Sequence, residues 1–279
     1  METLAYYNGK IGTLDEISIP VKDRSVYFGD GIYDATMSRN GKIVFLDEHI
    51  DRFFNSARLL EIELPYTKEE LRVLLLDLVK KVDAEEMFVY WQASRGTAQR
   101  SHEYPKGVKA NLLITIWPKK ATRPNCDQKL MTAEDIRFQL CNIKTLNLIP
   151  SVMASQRAAE HGCDETVFHR GNIVTECAHS NVSILKDGVF ITHPADNHIL
   201  PGIARAHLIK NCKELGIPVE ERLFTVEELY NADEIITSSS GKPACAAKEL
   251  NGQPCGGKDG ATLKRLVDAV IAEFAASVS

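Results

Sequence analysis

Residues 141–149 read CNIKTLNLI, and Lys144 is the only charged residue among them. Most lysines in proteins are solvated, so a surface lysine at the end of a strand is one explanation for this residue. Apolar surroundings also favour the neutral form of an amine, and a neutral amine attacks carbonyl groups. The stretch therefore makes Lys144 a candidate for carbonyl chemistry and leaves the surface explanation open.

The elements around this stretch indicate an α+β fold. Alternating apolar residues predict a strand at 136–143, and helices are predicted at 49–62, 152–160 and 202–215. Asn-Gly pairs at 8–9 and 40–41 predict tight hairpins, the second between strands at 33–37 and 43–46. Capping boxes at 67–70 and 225–228 predict two more helix starts. Hairpins mixed with scattered helices favour α+β over a regular βαβ array.

A surface linker is predicted at 118–125. Two prolines and three basic residues occur there without apolar periodicity, which is typical of a connection between domains. The chain has 279 residues, enough for two modest domains. The prediction is a small N-terminal domain at 1–120 and a larger C-terminal domain at 121–279.

Composition and charge exclude several classes of protein. The formal net charge is −5, without the concentrated Lys and Arg of nucleic-acid readers. No signal peptide and no apolar run long enough to span a membrane are evident. The seven cysteines form no CxxC pair and indicate reduced thiols, and no HxH or HExxH motif suggests a metal. These features predict a cytoplasmic protein with no nucleic-acid, membrane or metal partner.

Four further segments carry polar groups that could bind a ligand. Glu176 shares a predicted strand face with Val174, although a strand-end glutamate facing water fits equally well. The helix start at 202–204 and the hydroxyl cluster at 237–241 suit phosphate, or are a plain cap and loop. Arg100 and His102 fall on one side of an extended loop, as a carboxylate clamp requires, while an exposed basic loop is the simpler explanation.

Taken together, the motifs resemble those of the class IV aminotransferases, and most closely the D-amino acid transaminases of bacteria. They occur in order along nearly the whole chain: YFGDGIY at 27–33, EHIDR at 48–52, RGT at 95–97, IKTLN at 143–147, VTE at 174–176 and GIAR at 202–205. The resemblance implies the fold-type IV architecture, with a small N-terminal α/β domain and a larger C-terminal β-barrel-like domain with helices. It also implies pyridoxal 5'-phosphate (PLP) bound between the domains and a homodimer.

The same resemblance implies a role for each matching residue. Lys144 corresponds to the Schiff-base lysine, which also shuttles the proton between the substrate Cα and the cofactor carbon, and Glu176 to the partner of the pyridine nitrogen. The phosphate-binding positions correspond to Arg52, Ile203, Ala204, Ser239 and Ser240, with the register of the two serines open by one residue. The α-carboxylate of the substrate is bound by Tyr33, Arg100 and His102, the last two from the other subunit.

The resemblance implies transamination between a D-amino acid, such as D-alanine or D-glutamate, and 2-oxoglutarate or pyruvate. Branched-chain L-transaminases and aminodeoxychorismate lyases share the lysine, glutamate and phosphate residues but lack the Arg-x-His loop. They remain alternatives, with a non-catalytic PLP-binding protein as a third.

Some positions depart from the bacillary pattern. Ala35, in the side-chain pocket, and Ala204 stand where that pattern has valine and threonine. His179 stands in place of a hydroxyl near the cofactor ring.

Overall fold

A computed structural model describes residues 1–120 and 127–278. Its Cα packing divides the chain into two compact units. The first comprises Met1–Ala121, Ile143–Asn147 and Ser277–Ser279, and the second comprises Thr122–Asn142 and Leu148–Ala276. The segment around Lys144 thus belongs to the first unit. Most of the linker predicted at 118–125 lies outside the described residues, and the domain boundary there stays a prediction.

The first unit contains a six-stranded antiparallel sheet and three helices. In chain order its elements are β1 (Leu4–Tyr7), β2 (Lys10–Gly12), α1 (Arg24–Phe28), β3 (Gly31–Arg39), β4 (Lys42–Ile43), α2 (Leu46–Leu59), α3 (Lys68–Val79), β5 (Glu86–Ser94) and β6 (Asn111–Pro118). The strand order is β2-β1-β6-β5-β3-β4.

Both predicted Asn-Gly turns form hairpins. Asn8 and Gly9 have φ of 46° and 95°, and Asn40 and Gly41 have φ of 50° and 75°. Positive φ at both central residues is what a two-residue turn needs to match the twist of its strands. The second hairpin is shorter than predicted, because Phe45 adopts φ 47° and α2 begins at Leu46.

Two helices cover one face of this sheet. The capping box predicted at Thr67 is present, with Glu70 bonded back to the N-cap, and it starts α3. Phe53 of α2 and Leu75 of α3 are buried in one core with Trp91 of β5. This core fixes the sheet on which the residues around Lys144 lie.

The second unit contains nine strands and four helices. Its elements are β7 (Gln128–Glu134), α4 (Ile149–Glu160), β8 (Glu165–Arg170), β9 (Ile173–Cys177), β10 (Asn181–Lys186), β11 (Val189–Thr192), α5 (Ile203–Glu214), β12 (Val219–Glu221), α6 (Val226–Asn231), β13 (Glu234–Ser239), β14 (Lys242–Leu250), β15 (Gln253–Pro254) and α7 (Gly260–Ala276). The strand order is β12-β11-β10-β13-β14-β7-β8-β9, and β15 pairs with β14.

This sheet curls on itself. Only residues 178–180 separate β9 from β10 in the chain, although β13, β14, β7 and β8 lie between them in the sheet. A sheet whose path returns to its own start must curve, so the barrel-like fold expected for this half is confirmed. Helices α5 and α7 pack on it through a core that includes Leu208 and Leu266.

The strand predicted at 136–143 is wrong, because these residues form a loop. Ile136, Phe138 and Leu140 alternate with other residues as in a strand, yet all three side chains are exposed. The strand of this region is instead β7, which ends at Glu134. Lys144 therefore follows a loop rather than a strand.

Two other expectations concern membrane-spanning segments and cysteines. No helix among residues 1–120 and 127–278 is long and apolar enough to cross a bilayer. Cys245 is disulfide-bonded, so the expectation of reduced thiols is wrong for that residue. Among the described residues five cysteines are free: Cys141, Cys163, Cys177, Cys212 and Cys255.

Candidate active site

Lys144 lies alongside strand β3 in the first unit. The N–H of Tyr33 donates to the carbonyl of Lys144 at 2.9 Å, and Leu146 donates to Gly31 at 3.1 Å. The two segments can approach this closely because Gly31 has no side chain. A Cβ on Gly31 would lie 2.8 Å from Leu146 Cδ1. The backbone of Lys144 is thus fixed by main-chain hydrogen bonds outside any strand of its own.

The amine of Lys144 is half-buried against an aromatic pair. Its Nζ stands 4.2 Å from the centre of the Tyr33 ring, and that ring stacks on Tyr90 at 5.4 Å. The N–H of Lys144 donates to Ser56 Oγ at 3.3 Å. Ala35 is two residues from Tyr33 in β3, so both side chains lie on the same face of the sheet. The structure therefore brings together the lysine, the tyrosine and the residue assigned to the side-chain pocket.

The opposite face of β3 carries a buried ionic group. Both oxygens of Asp34 accept from Arg52, at 2.8 Å from Nε and 2.7 Å from Nη2, and Asp34 Oδ1 lies 2.7 Å from His49 Nδ1. Burial opposes ionisation, but Arg52 and His49 hold the pKa of Asp34 below its ordinary value. Burial lowers the pKa of His49, against the pull of Asp34. The phosphate-binding candidate Arg52 is therefore a charged group held in a fixed orientation.

Arg100 and His102 lie in an exposed loop, and both reach the same ring. The guanidinium carbon of Arg100 is 5.0 Å from the centre of Phe28, and the imidazole of His102 is 5.3 Å from it. Arg24 anchors this loop by donating from Nη1 to the carbonyl of Ser101 at 2.7 Å. The two side chains expected to form a clamp thus contact the same ring, and their binding of a carboxylate stays a prediction.

In the second unit Glu176 is a buried carboxylate with three hydrogen-bond donors. Oε1 accepts from Arg137 Nη1 at 2.5 Å, and Oε2 accepts from Asn181 Nδ2 at 2.9 Å and from the N–H of Leu200 at 3.0 Å. A buried carboxylate needs such partners to remain charged. The expected burial of Glu176 on the apolar side of its strand is thus compensated by an ion pair.

Sequence reasoning missed Arg137. Its Nε and Nη2 bind both oxygens of Asp135, each at 2.9 Å, while Nη1 reaches Glu176. Burial would raise the pKa of Asp135, but the hydrogen bonds and charge of Arg137 bring it below the ordinary value. The available signal was Asp-Ile-Arg at 135–137, which is too common a pattern to reveal a contact with a glutamate 39 residues away.

The N-terminus of α5 offers donors for an anion. Gly202 is its N-cap and makes no side-chain capping bond, so the N–H groups of Ile203 and Ala204 lack a capping side chain. Gly202 is required, since a Cβ there would lie 1.9 Å from Asn181 Oδ1. Because Asn181 also binds Glu176, the glutamate and this helix start are coupled.

The serine cluster lies at the end of β13. Ser239 and Ser240 are partly exposed there, where the pairing with β14 shifts register. Ser238 pairs directly with Asn181 across the sheet, so the two side chains lie on one face. The hydroxyl of Ser238 is buried and has no hydrogen-bond partner among the described residues. An uncapped helix start beside Asn181 and an unpartnered hydroxyl opposite it suit a bound phosphate group.

His179, which replaces a hydroxyl of the bacillary pattern, is bound elsewhere. Its Nδ1 lies 2.6 Å from Oε2 of the buried Glu165, and Ser180 Oγ donates to the same oxygen at 2.8 Å. The imidazole is more than half exposed. His179 therefore serves a second buried carboxylate of this unit.

The chain is similar to one family of known proteins along most of its length. The family described as Amino-transferase class IV matches residues 31–250. The chain is 37% identical over 269 residues to a D-alanine aminotransferase of Staphylococcus haemolyticus, covering 95% of each chain. It is 38% identical over 266 residues to one of Staphylococcus aureus, covering 94% of each. The branched-chain amino acid aminotransferase of Escherichia coli shares the fold, with a TM-score of 0.90 at 22% identity over 100% of this chain and 96% of that one.

The family model matches residues 31–250, and the two relatives match over nearly their full length. This similarity shows membership of a family as well as a shared fold. These enzymes use pyridoxal phosphate, and within the second unit the donors at α5, the hydroxyl of Ser238 and the buried carboxylate of Glu176 fit groups of that cofactor. The chain belongs to the class IV aminotransferase family of PLP-dependent enzymes.

Proposed function

We propose that this enzyme exchanges an amino group between a D-amino acid, such as D-alanine or D-glutamate, and a 2-oxo acid, 2-oxoglutarate or pyruvate. The observation that carries the proposal is the likeness to D-alanine aminotransferases over 95% of the chain. The contacts of Arg100 and His102 with the ring of Phe28 support it. The Arg-x-His loop is the feature by which this chain resembles the D-amino acid transaminases rather than the other members of the family.

Lys144 is the residue that we assign to the chemical step. Bound PLP supplies an electron sink that stabilises negative charge at the substrate Cα. Lys144 would hold the cofactor through its Nζ, and the same Nζ, once free of it, would move the proton between the substrate Cα and the cofactor carbon. Its position on the Tyr33 ring and the hydrogen bonds of its backbone orient the amine for that transfer. Proton transfer requires a donor held within hydrogen-bond reach, which this anchoring supports.

Glu176 is assigned to the pyridine nitrogen of the cofactor. Arg137 forms an ion pair with this carboxylate, and Asn181 donates a hydrogen bond that fixes its orientation. A charged carboxylate at that nitrogen favours its protonated form, which makes the ring a better electron sink. The contacts of Arg137 and Asn181 support this assignment.

The phosphate is assigned to donors of three kinds. The N–H groups of Ile203 and Ala204 form the uncapped start of α5, where the helix dipole also favours an anion. Arg52 adds a positive charge, and Ser239 with Ser240 adds hydroxyl donors. Ala204 stands where the bacillary pattern has threonine, so this set has one hydroxyl donor fewer.

The substrate is assigned to the face of β3 that carries Tyr33. Tyr33, Arg100 and His102 bind the α-carboxylate, and a guanidinium can do so through two parallel hydrogen bonds. Ala35, beside Tyr33, borders the side-chain pocket and leaves it roomier than a valine would. In this arrangement the α-carboxylate, which all amino acids share, and the side chain are bound by different residues.

A homodimer is part of the proposal, with Arg100 and His102 serving the partner's site. An apolar stripe on α4 supports it: Ile149, Val152 and Met153 follow helical spacing, and all three are exposed. Exposed apolar stripes of this kind mark association surfaces. A cytoplasmic location is also proposed, since five of the described cysteines are free, although Cys245 is disulfide-bonded.

Initial rates over a panel of D- and L-amino acids with 2-oxoglutarate test the proposal. We expect turnover with D-alanine and D-glutamate and little with L-leucine or L-valine. A parallel assay measures pyruvate release from aminodeoxychorismate. Preference for branched-chain L-substrates, pyruvate release as the main activity, or PLP binding without turnover would each replace the proposal with the corresponding alternative.

A further inference from the structure

A second cluster of ligand-type side chains lies after strand β11, apart from the residues assigned to PLP and substrate. His193, Asp196 and His198 occur in the sequence HPADNH at 193–198. One ligand atom from each of the three lies within 4.8 Å of the others. His193 Nδ1 is 3.8 Å from Asp196 Oδ1, and His198 Nδ1 is 3.4 Å from Asp196 Oδ2. The spacing is neither HxH nor HExxH, which is why the sequence predicted no metal.

The backbone of this loop is fixed by hydrogen bonds to its surroundings. Arg205 donates to the carbonyl of His193 at 2.7 Å, and Arg137 donates to that of His198 at 3.3 Å. The N–H of His198 donates to Asp196 Oδ1 at 2.8 Å, and the N–H of Cys141 donates to the carbonyl of Asn197 at 3.0 Å. The three side chains are therefore presented from a rigid frame, which reduces the ordering cost of binding an ion.

Histidine chemistry at this loop suits a metal ligand. His193 is buried, and its Nδ1 lies 2.9 Å from the carbonyl oxygen of Pro194. With Nδ1 hydrogen-bonded to that carbonyl, Nε2 is the nitrogen of His193 that is left for a metal, so the 3.8 Å from Nδ1 to Asp196 is not a distance between two ligand atoms. Metal-binding histidines commonly donate their other nitrogen to a backbone carbonyl in this way.

The two arginines near the loop do not oppose the binding of a cation, because each forms an ion pair with a carboxylate. Arg205 binds Glu221 at 2.8 Å. Arg137 is neutralised by Asp135 and Glu176. Asp196 thus remains available to balance the charge of an ion.

We propose that His193, Asp196 and His198 form a site for a divalent first-row transition metal, with Zn²⁺ as the tested ion. Two imidazoles and one carboxylate are a ligand set that Zn²⁺, Co²⁺ and Ni²⁺ accept. In a tetrahedral site with ligands at about 2.0–2.2 Å, ligand atoms stand roughly 3.4 Å apart. The ligand atoms of the three side chains lie within 4.8 Å of one another, so side-chain rotations are needed to complete the site. Three protein ligands leave a fourth position for water. This proposal does not rest on the proposed transamination.

Metal titration of the PLP-loaded enzyme tests the site. The protein is first stripped with a chelator that is then dialysed away, and Zn²⁺ is titrated by calorimetry. Co²⁺ is titrated separately, with its visible absorption as the readout. We expect one ion per chain with a d–d spectrum and no sulfur-to-cobalt charge-transfer band, since no thiol is among the ligands.

Variants identify the ligands. Asp196→Asn and His198→Gln are partly exposed positions that should fold, and each should weaken Zn²⁺ binding at least about tenfold. His169→Gln is the matched control. His169 pairs with Glu134 at 3.3 Å on the same unit, but among the described residues this pair has no third ligand-type side chain beside it. It should bind as the wild type does. Absence of binding by the wild type, or equal affinity in His198→Gln, would overturn the proposal.

Discussion

Replacing Glu176 by glutamine removes one charge and turns one hydrogen-bond acceptor into a donor. Oε1 of Glu176 accepts from Arg137, and Oε2 accepts from both Asn181 and Leu200. Whichever way the amide of glutamine is turned, its NH₂ group faces at least one donor. A buried polar group left without its partner costs about 1–3 kcal/mol. We therefore expect a lower melting temperature, by roughly 2–4 °C for each kcal/mol.

The effect on turnover follows from the charge. An opposite charge a few ångströms away shifts the pKa of an ionisable group by about 1–3 units. Without the carboxylate of Glu176, the pyridine nitrogen of bound PLP should lose its proton more readily. We expect kcat for D-alanine with 2-oxoglutarate to fall about 10- to 1000-fold, with PLP still bound.

A matched variant separates charge at the cofactor from loss of stability. Glu234 is also fully buried, and its carboxylate accepts from the N–H groups of Gly257 and Asp259, each at 2.9 Å. Glu234→Gln makes the same chemical change away from the assigned site. It should lower the melting temperature and leave kcat per bound PLP unchanged. Unchanged kcat in Glu176→Gln, or an equal loss in both variants, would refute the reasoning.

Three further predictions address the lysine, the clamp and the buried ionic group. Borohydride reduction should fix PLP on the peptide that contains Lys144, and labelling of any other lysine would contradict that assignment. Arg100→Ala should weaken binding of D-alanine and D-glutamate alike, by roughly 1.5–3 kcal/mol, measured as Kd, while PLP stays bound. If the clamp crosses a dimer interface, mixing Lys144→Ala with Arg100→Ala subunits should restore one working site, and a confirmed mixed dimer without activity would exclude that exchange. The lowered pKa of Asp34 gives stability that is complete above its ordinary value near 4 and is lost as the pH falls. Urea unfolding should thus show a gap between wild type and Asp34→Asn that narrows from pH 7 to pH 3, and a constant gap would argue against an ionised Asp34.

Local signals predicted the parts of the fold that depend on neighbouring residues. The Asn-Gly turns formed because positive φ is a property of the two residues themselves. The capping boxes at Thr67 and Thr225 formed because both partners lie within one helical turn. The class IV motifs likewise lie in short stretches, so the family could be predicted before any coordinates.

Apolar alternation failed at 136–143, and the reason is physical. Period-two spacing indicates a strand only when one set of side chains is buried, whereas Ile136, Phe138 and Leu140 are exposed. Burial depends on what packs against a segment, and the sequence of the segment does not contain that information.

The sequence by itself determined the family, the α+β composition and the candidates Lys144 and Glu176. Tertiary structure alone decided which charges meet: Arg137 with Glu176, and Asp34 with Arg52. Such pairs join residues distant in the chain, and a buried charge is tolerated only where the fold supplies its partner. Folding also placed the segment of Lys144 beside β3. The main-chain hydrogen bonds of that segment are made to residues more than 100 positions earlier in the chain.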